Sequence, residues 1–236
     1  MAAGVLAEAK NISKSYIMGE VTVHALRGID LRLFSNELVV VLGPSGSGKS
    51  TLLNILGGMD TPTGGELYYG TQPLHLASGK ELTFFRRNEV GFIFQFFNLM
   101  PNLTAYENVN LSVQIAENPL DVDELLEQVD LDQRRDHFPS QLSGGEQQRV
   151  AIVRGLAKNP SMLLCDEPTG SLDLSSGIQV LRLLQWFCRS YQKTVVIITH
   201  NTVISHIADR TIYLKDGLVE KVEVNDSPLL PEEVSW

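Results

Sequence analysis

Four short groups of residues carry side chains suited to chemistry, and each stands at the end of an apolar run. The first, Gly43-Pro44-Ser45-Gly46-Ser47-Gly48-Lys49-Ser50-Thr51, fits the pattern G-x-x-x-x-G-K-[ST]. Its glycines let the backbone come close to a phosphate chain. Lys49 is placed to reach the β- and γ-phosphates, and the Ser50 hydroxyl to ligate Mg²⁺. The second group is Asp166-Glu167. Asp166 suits the outer sphere of that cation, and Glu167 is set to orient or deprotonate an attacking water. His200 and Gln95 complete the set, His200 as a γ-phosphate contact and Gln95 as an amide between the metal and the water. Alone, each has a plainer reading: a Gly-rich turn, acids solvating a strand end, a structural histidine, a polar loop residue. Together they point to binding and hydrolysis of a nucleoside triphosphate. The phosphate motif by itself does not separate kinases, GTPases and motor ATPases.

The elements that must position these groups are legible in the same runs. Residues 38–42 (LVVVL) read as a strand buried on both faces, followed at once by the Gly-rich turn. Residues 49–56 read as a helix ending near Gly57-Gly58, so its N-terminus and dipole face the phosphates. Residues 161–165 and 194–198 are two more apolar strands, ending in Asp166-Glu167 and Thr199-His200, and Gln95 follows Phe92-Ile93-Phe94. Carboxylates and histidines at the carboxyl ends of parallel strands lie where an open α/β sheet keeps its ligands.

A fifth motif, Leu142-Ser143-Gly144-Gly145-Glu146-Gln147-Gln148, lies between the phosphate loop and the acidic pair. With it, the chain resembles the nucleotide-binding subunits of ABC (ATP-binding cassette) transporters over about residues 5–220. The resemblance implies an α/β fold. A P-loop NTPase core with a mixed, mainly parallel sheet would carry an N-terminal antiparallel β part and an inserted α-helical subdomain. The expected layout is one domain, with core segments at about 1–94 and 159–222, the helical subdomain at about 95–158, and a short tail at 223–236. The implied cofactors are ATP and Mg²⁺, with Ser50, Gln95 and Asp166 around the metal. Tyr16 matches the aromatic that stacks on adenine in this family, and Asp173, in Ser171-Leu172-Asp173, the loop following the acidic pair. The resemblance further implies a head-to-tail homodimer. Ser143, Gly144, Gly145 and Gln147 of one copy then offer a helix N-terminus to the γ-phosphate held by the other.

Finer stretches, such as 94–109 and 144–152, are similar to the lipoprotein-release, macrolide-export and cell-division ATPases. That similarity implies a partner: an integral membrane permease subunit with four helices and a large extracytoplasmic domain. An ATP-dependent clamp on a membrane partner, or a soluble ABC ATPase, is the alternative. The apolar cluster Phe96, Phe97, Leu99 and Met100 is expected to divide between core and a groove that receives a short helix of the permease. Three departures from the family pattern stand out: Ser171 replaces Asn, Val153 and Gly155 replace Ala, and residues 111–131 are short, with Glu117-Asn118-Pro119 interrupting.

Composition narrows the class further. The 236 residues show no internal repeat and no low-complexity linker, which removes tandem two-cassette proteins. A net charge of −9 argues against a nonspecific nucleic-acid binder, so no nucleic-acid partner is expected. No apolar run approaches the ~20 residues of a spanning helix. The expected location is therefore cytoplasmic, peripheral on the inner face of the cell membrane through the partner. Cys165 and Cys188 read as buried, reduced thiols.

Overall fold

Runs of Val, Ile and Leu without a polar face form strands only where both faces are covered, and the centre of the molecule is built that way. The computed structural model describes residues 4–234. Strands β1 (Val5–Met18) and β2 (Val21–Phe34) open the chain as a long hairpin, and β3 (Leu38–Leu42) leads into the Gly-rich loop and α1 (Lys49–Leu56). Then come β4 (Gly64–Tyr69), β5 (Gln72–Pro73), α2 (Gly79–Asn88) and β6 (Val90–Ile93). Three helices follow: α3 (Ala105–Val113), α4 (Val122–Gln128) and α5 (Gly144–Ala157). The chain returns through β7 (Met162–Asp166), α6 (Leu174–Ser190), β8 (Thr194–Thr199), β9 (Arg210–Lys215) and β10 (Leu218–Val224).

Two sheets result. An antiparallel sheet has the order β2-β1-β4-β5, and a six-stranded sheet the order β10-β9-β3-β8-β7-β6. In the larger sheet only the β9–β10 pair is antiparallel. Alternation along its strands divides the core into two layers. Leu38, Val40, Leu163, Cys165, Val195 and Ile197 face α5 and α6, whereas Val39, Val41, Leu164, Val196 and Ile198 face α1 and the antiparallel sheet. This is the α/β arrangement expected, with the antiparallel part at the N-terminal side and the helices α3–α5 inserted between β6 and β7.

Local chemistry sets the inserted helices. α3 starts at a capping box in which Thr104 accepts from the Glu107 amide while Glu107 accepts from the Thr104 amide. α4 is capped by Asp121, and the break between α3 and α4 contains the Glu117-Asn118-Pro119 interruption. α5 begins at a second capping box, Ser143 with Glu146. It lies so close to β6 that a Cβ on Gly91 would stand 2.6 Å from the Gly155 carbonyl. Both cysteines are buried free thiols. Burial pushes the Cys188 thiol up to about 12 and the Cys165 thiol well above its ordinary value.

Candidate nucleotide-binding and catalytic site

Strand register aligns the chemistry on one edge. Leu42 is level with Thr199, Ile198 with Asp166, and Cys165 with Ile93. The phosphate loop, His200, Glu167 and Gln95 therefore leave neighbouring parallel strands at the same height. They meet around a cleft of about 780 Å³ whose walls include Lys49, Ser50, Gln95, Asp166, Glu167 and His200.

The loop is shaped for an anion. Gly48 caps α1 at φ 101°, a conformation disfavoured for any residue with a Cβ, and a Cβ there would stand 2.5 Å from the Ala25 carbonyl. α1 has no side-chain cap and no acidic residue in its first turn, so its leading N–H groups remain available to phosphate oxygens. Lys49 is only 8% exposed, and its ammonium donates to the carbonyls of Gly43 at 2.7 Å and Pro44 at 3.0 Å. That arrangement holds the charge at the mouth of the loop. The Ser47 hydroxyl is buried without a hydrogen-bond partner. A lysine and an uncapped helix N-terminus fit a triphosphate.

Ser50 and Asp166 face each other. Burial raises the Asp166 carboxyl above its usual range and the Glu167 charge adds to this, while a bond from the Ser50 hydroxyl and the Lys49 charge oppose it. A hydroxyl and one carboxylate, with room beside them, suit a small hard cation that takes its remaining oxygens from phosphate and water.

Glu167 is held by the end of β8. Its backbone lies in the left-handed region at φ 46°, and its amide donates to the Ile198 carbonyl at 3.0 Å. One carboxylate oxygen accepts from the Thr199 hydroxyl at 2.8 Å. The other accepts from the His200 amide at 3.0 Å and stands 2.7 Å from His200 Nδ1. The His200 side chain is 71% exposed, so the imidazole is tied to Glu167 while its far edge is open to solvent.

Other sequence-predicted residues lie apart from the cleft. Ser143, Gly144, Gly145 and Gln147 open α5 elsewhere, with the Gln147 amide donating to the Leu142 carbonyl at 3.0 Å and Gly145 seated against Ser176. Asp173 caps α6, and the donors from Ser175 and Ser176 hold its carboxyl well below the usual range. It shares with Glu167 and His200 a second cavity of about 360 Å³. Tyr16 is not a cleft wall: its hydroxyl donates to Asp60 at 2.8 Å, and the Lys14 ammonium sits 5.0 Å over its ring. Burial, then the Asp60 bond, raises that phenol's pKa. A further part of the wall is made by Val23, His24 and Ala25 of β2, which the sequence did not mark. After Gln95, Phe96 and Met100 are 75% and 54% exposed, while Leu99 packs on the core.

A Gly-rich loop between a buried parallel strand and a helix, with acid, histidine and amide on the adjacent strand ends, defines a P-loop nucleoside-triphosphate-binding domain. The family model described as ABC transporter matches residues 26–170, and the chain belongs to that family. Among its relatives is a putative ABC transporter ATP-binding protein of Mycoplasma pneumoniae, 45% identical over 233 residues. The match takes in 97% of this chain, which spans about 50% of that protein's length. The lipoprotein-releasing system ATP-binding protein LolD of Shewanella frigidimarina is 40% identical over 232 residues, 96% of this chain and 97% of LolD. The solved dimeric structure of the ATP-binding cassette MJ0796, in a post-hydrolysis state bound to ADP and Pi, superposes with a TM-score of 0.84. That match has 43% identity and covers 92% of this chain and 98% of the cassette; the protein of the same name comes from Methanocaldococcus jannaschii.

Proposed function

We propose that this chain is the ATP-hydrolysing subunit of an ABC membrane complex, and that two copies closing head-to-tail on ATP drive a membrane partner. The observation that carries this reading is the Glu167 carboxylate, fixed by Thr199 and His200 at the mouth of the cleft that holds Lys49, Ser50 and Asp166. Lys49 and the first-turn amides of α1 bind the phosphates. Glu167 orients the attacking water and takes its proton, and His200 contacts the γ-phosphate from the adjoining strand end. Ser50, Asp166 and Gln95 would hold Mg²⁺, which when bound neutralises charge on the phosphate oxygens. Tyr16, whose hydroxyl lies near Thr51 of the cleft wall, would take adenine at that side of the cleft.

The remaining determinants suit a second copy. Ser143, Gly144, Gly145, Gln147 and Asp173 lie outside the cleft of their own chain, and the Gly144 and Gly145 amides at the N-terminus of α5 can meet a γ-phosphate held by a partner copy. The MJ0796 cassette forms a dimer, and LolD belongs to a lipoprotein-releasing system. To this reading the sequence resemblance adds mechanical work through a four-helix permease with a large extracytoplasmic domain. No described helix is long and apolar enough to cross a membrane. Attachment to the membrane's inner face then falls to the permease, which would dock beside Gln95 on Phe96 and Met100.

The test is Glu167→Gln with Mg·ATP. We expect retained ATP binding, no turnover, a dimer by size-exclusion chromatography, and a four-helix permease co-purifying from solubilised native membranes. A six-helix importer subunit overturns the subgroup, and hydrolysis at the parental rate removes Glu167 as the base.

A further inference from the structure

We propose that Thr199 is a positioning residue for hydrolysis: its hydroxyl, polarised in one direction by the Asn201 amide, sets the angle at which Glu167 meets the water. The proposal rests on the reading of Glu167 as the base.

Thr199 is the last residue of β8 and is 1% exposed. Its Oγ1 has two partners. The Asn201 amide, 3.1 Å away, can only donate, and the Glu167 carboxylate, 2.8 Å away, accepts. A hydroxyl has one proton. With an accepting lone pair already taken by the Asn201 N–H, that proton goes to Glu167 Oε2. The bond therefore has a fixed direction, and it does not depend on the state of the His200 ring.

The three donors to Glu167 divide their work by position. The His200 amide and ring act on Oε1 alone. Held at one oxygen only, a carboxylate can still rotate about its terminal bond, where the torsional wells are broad. Thr199 fixes the second oxygen and so removes that rotation. The Glu167 amide bonds the Ile198 carbonyl at 3.0 Å, next to Thr199 on β8, which keeps the carboxylate within reach of the Thr199 hydroxyl. A buried strand threonine can equally be a packing residue that satisfies its own hydroxyl, and Thr194, at the opposite end of β8, is one. It is also 1% exposed, donates to the Phe34 carbonyl at 3.1 Å and accepts from the Asn36 amide at 3.1 Å, far from the cleft. Thr194 has the same relay geometry without a catalytic acceptor, which makes it a built-in control.

The experiment measures steady-state ATP hydrolysis, equilibrium ATP binding and thermal melting for the full chain and its variants. For Thr199→Val, kcat is expected to fall about 10- to 100-fold, the loss typical of a misplaced reacting group. KM and the ATP Kd should stay within about twofold, because no phosphate contact changes. Thr199→Ser keeps the hydroxyl and should recover most of the rate. Thr194→Val should lower the melting temperature and leave kcat at the parental value. Should Thr199→Val not fold, Thr199→Ala, which adds no bulk, carries the same expectation. The proposal is overturned if Thr199→Val or Thr199→Ala turns over normally, if Thr199→Ser is as slow as Thr199→Val, or if Thr194→Val lowers kcat equally. Glu167→Gln in the same assay separates the two ideas. Parental turnover there removes the base itself, whereas an inactive Glu167→Gln beside a normal Thr199→Val removes only the role of Thr199.

Discussion

Gly48→Ala probes whether the phosphate loop has the geometry described. Two costs add. A residue with a Cβ in a left-handed conformation costs about 1–2 kcal/mol. The new methyl also stands 2.5 Å from the Ala25 carbonyl and 2.8 Å from Leu26 Cδ2. An ordinary C···O contact is about 3.3 Å, so β2 and the start of α1 must separate by roughly 0.8 Å; overpacking of that kind costs about 1–3 kcal/mol. The sum, about 2–5 kcal/mol, corresponds to a fall of about 4–20 °C in melting temperature for a domain of this size. Gly70→Ala isolates the first cost, since Gly70 has φ 55° and nothing within 4 Å of its virtual Cβ. It should lose about 1–2 kcal/mol, or about 2–8 °C, and bind ATP normally. In Gly48→Ala the shifted loop should also weaken ATP binding at least about tenfold and slow turnover about a hundredfold. Differential scanning calorimetry and titration calorimetry with Mg·ATP read both effects. If Gly48→Ala melts with Gly70→Ala and binds ATP like the parent, the close approach of β2 to the loop is wrong.

Other perturbations act on single groups. Lys49→Ala should abolish tight ATP binding in titration calorimetry, because the buried ammonium is the loop's only side-chain charge; near-parental affinity would contradict the phosphate-loop assignment. Ser143→Arg should leave ATP binding to the monomer intact while suppressing the ATP-dependent dimer seen by light scattering, at a cost of about 1 kcal/mol for the lost helix cap. Lys158 gives a pH signature. Burial lowers its pKa from 10.5 to about 8, so between those values the unfolded chain binds the proton that the folded chain has released. Stability from this group therefore rises as pH increases from about 8 to about 10.5. In urea titrations at several pH values Lys158→Met should lack that rise, and a parallel rise in both proteins would remove Lys158 as its source.

The parts of the site set by local pattern were readable in the chain. The run LVVVL with G-x-x-x-x-G-K-[ST] fixes a strand, a loop and a helix within a few residues, and α1 starts at Lys49 as that pattern requires. The strand ends at Asp166 and Thr199 follow from apolar runs of the same kind. What stayed hidden depends on partners distant in sequence. Asp60 takes the Tyr16 hydroxyl across 44 positions, and nothing in a β-rich N-terminal segment signals that a residue beyond α1 will do so. Val23, His24 and Ala25 reach the cleft because β1 and β2 pair through several register shifts, and a bulge turns side chains in ways that no period-two pattern records. The left-handed backbone of Glu167 is equally silent, since Glu carries no turn signal.

The separation of cleft and α5 start within one chain has an energetic consequence for the proposed dimer. Moving an equilibrium from about 1:99 open to 99:1 closed requires a ligand that favours the closed state by about 5.5 kcal/mol. A head-to-tail dimer closes on two nucleotides, so each must supply about half of that. A hydrogen bond to a charged group contributes about 1.5–3 kcal/mol. One or two such bonds per site suffice, and the Ser143 hydroxyl with the amides of Gly144 and Gly145 offers three donors. In the proposed dimer all of them would meet the γ-phosphate of the partner's nucleotide, so departure of that phosphate removes the whole differential at once rather than weakening it by degrees. Mg·ADP should therefore leave the chain monomeric at concentrations where Mg·ATP dimerises Glu167→Gln. A dimer that persists equally in ADP would mean that closure is held by protein–protein contacts, and that ATP binding is not the step that does the work.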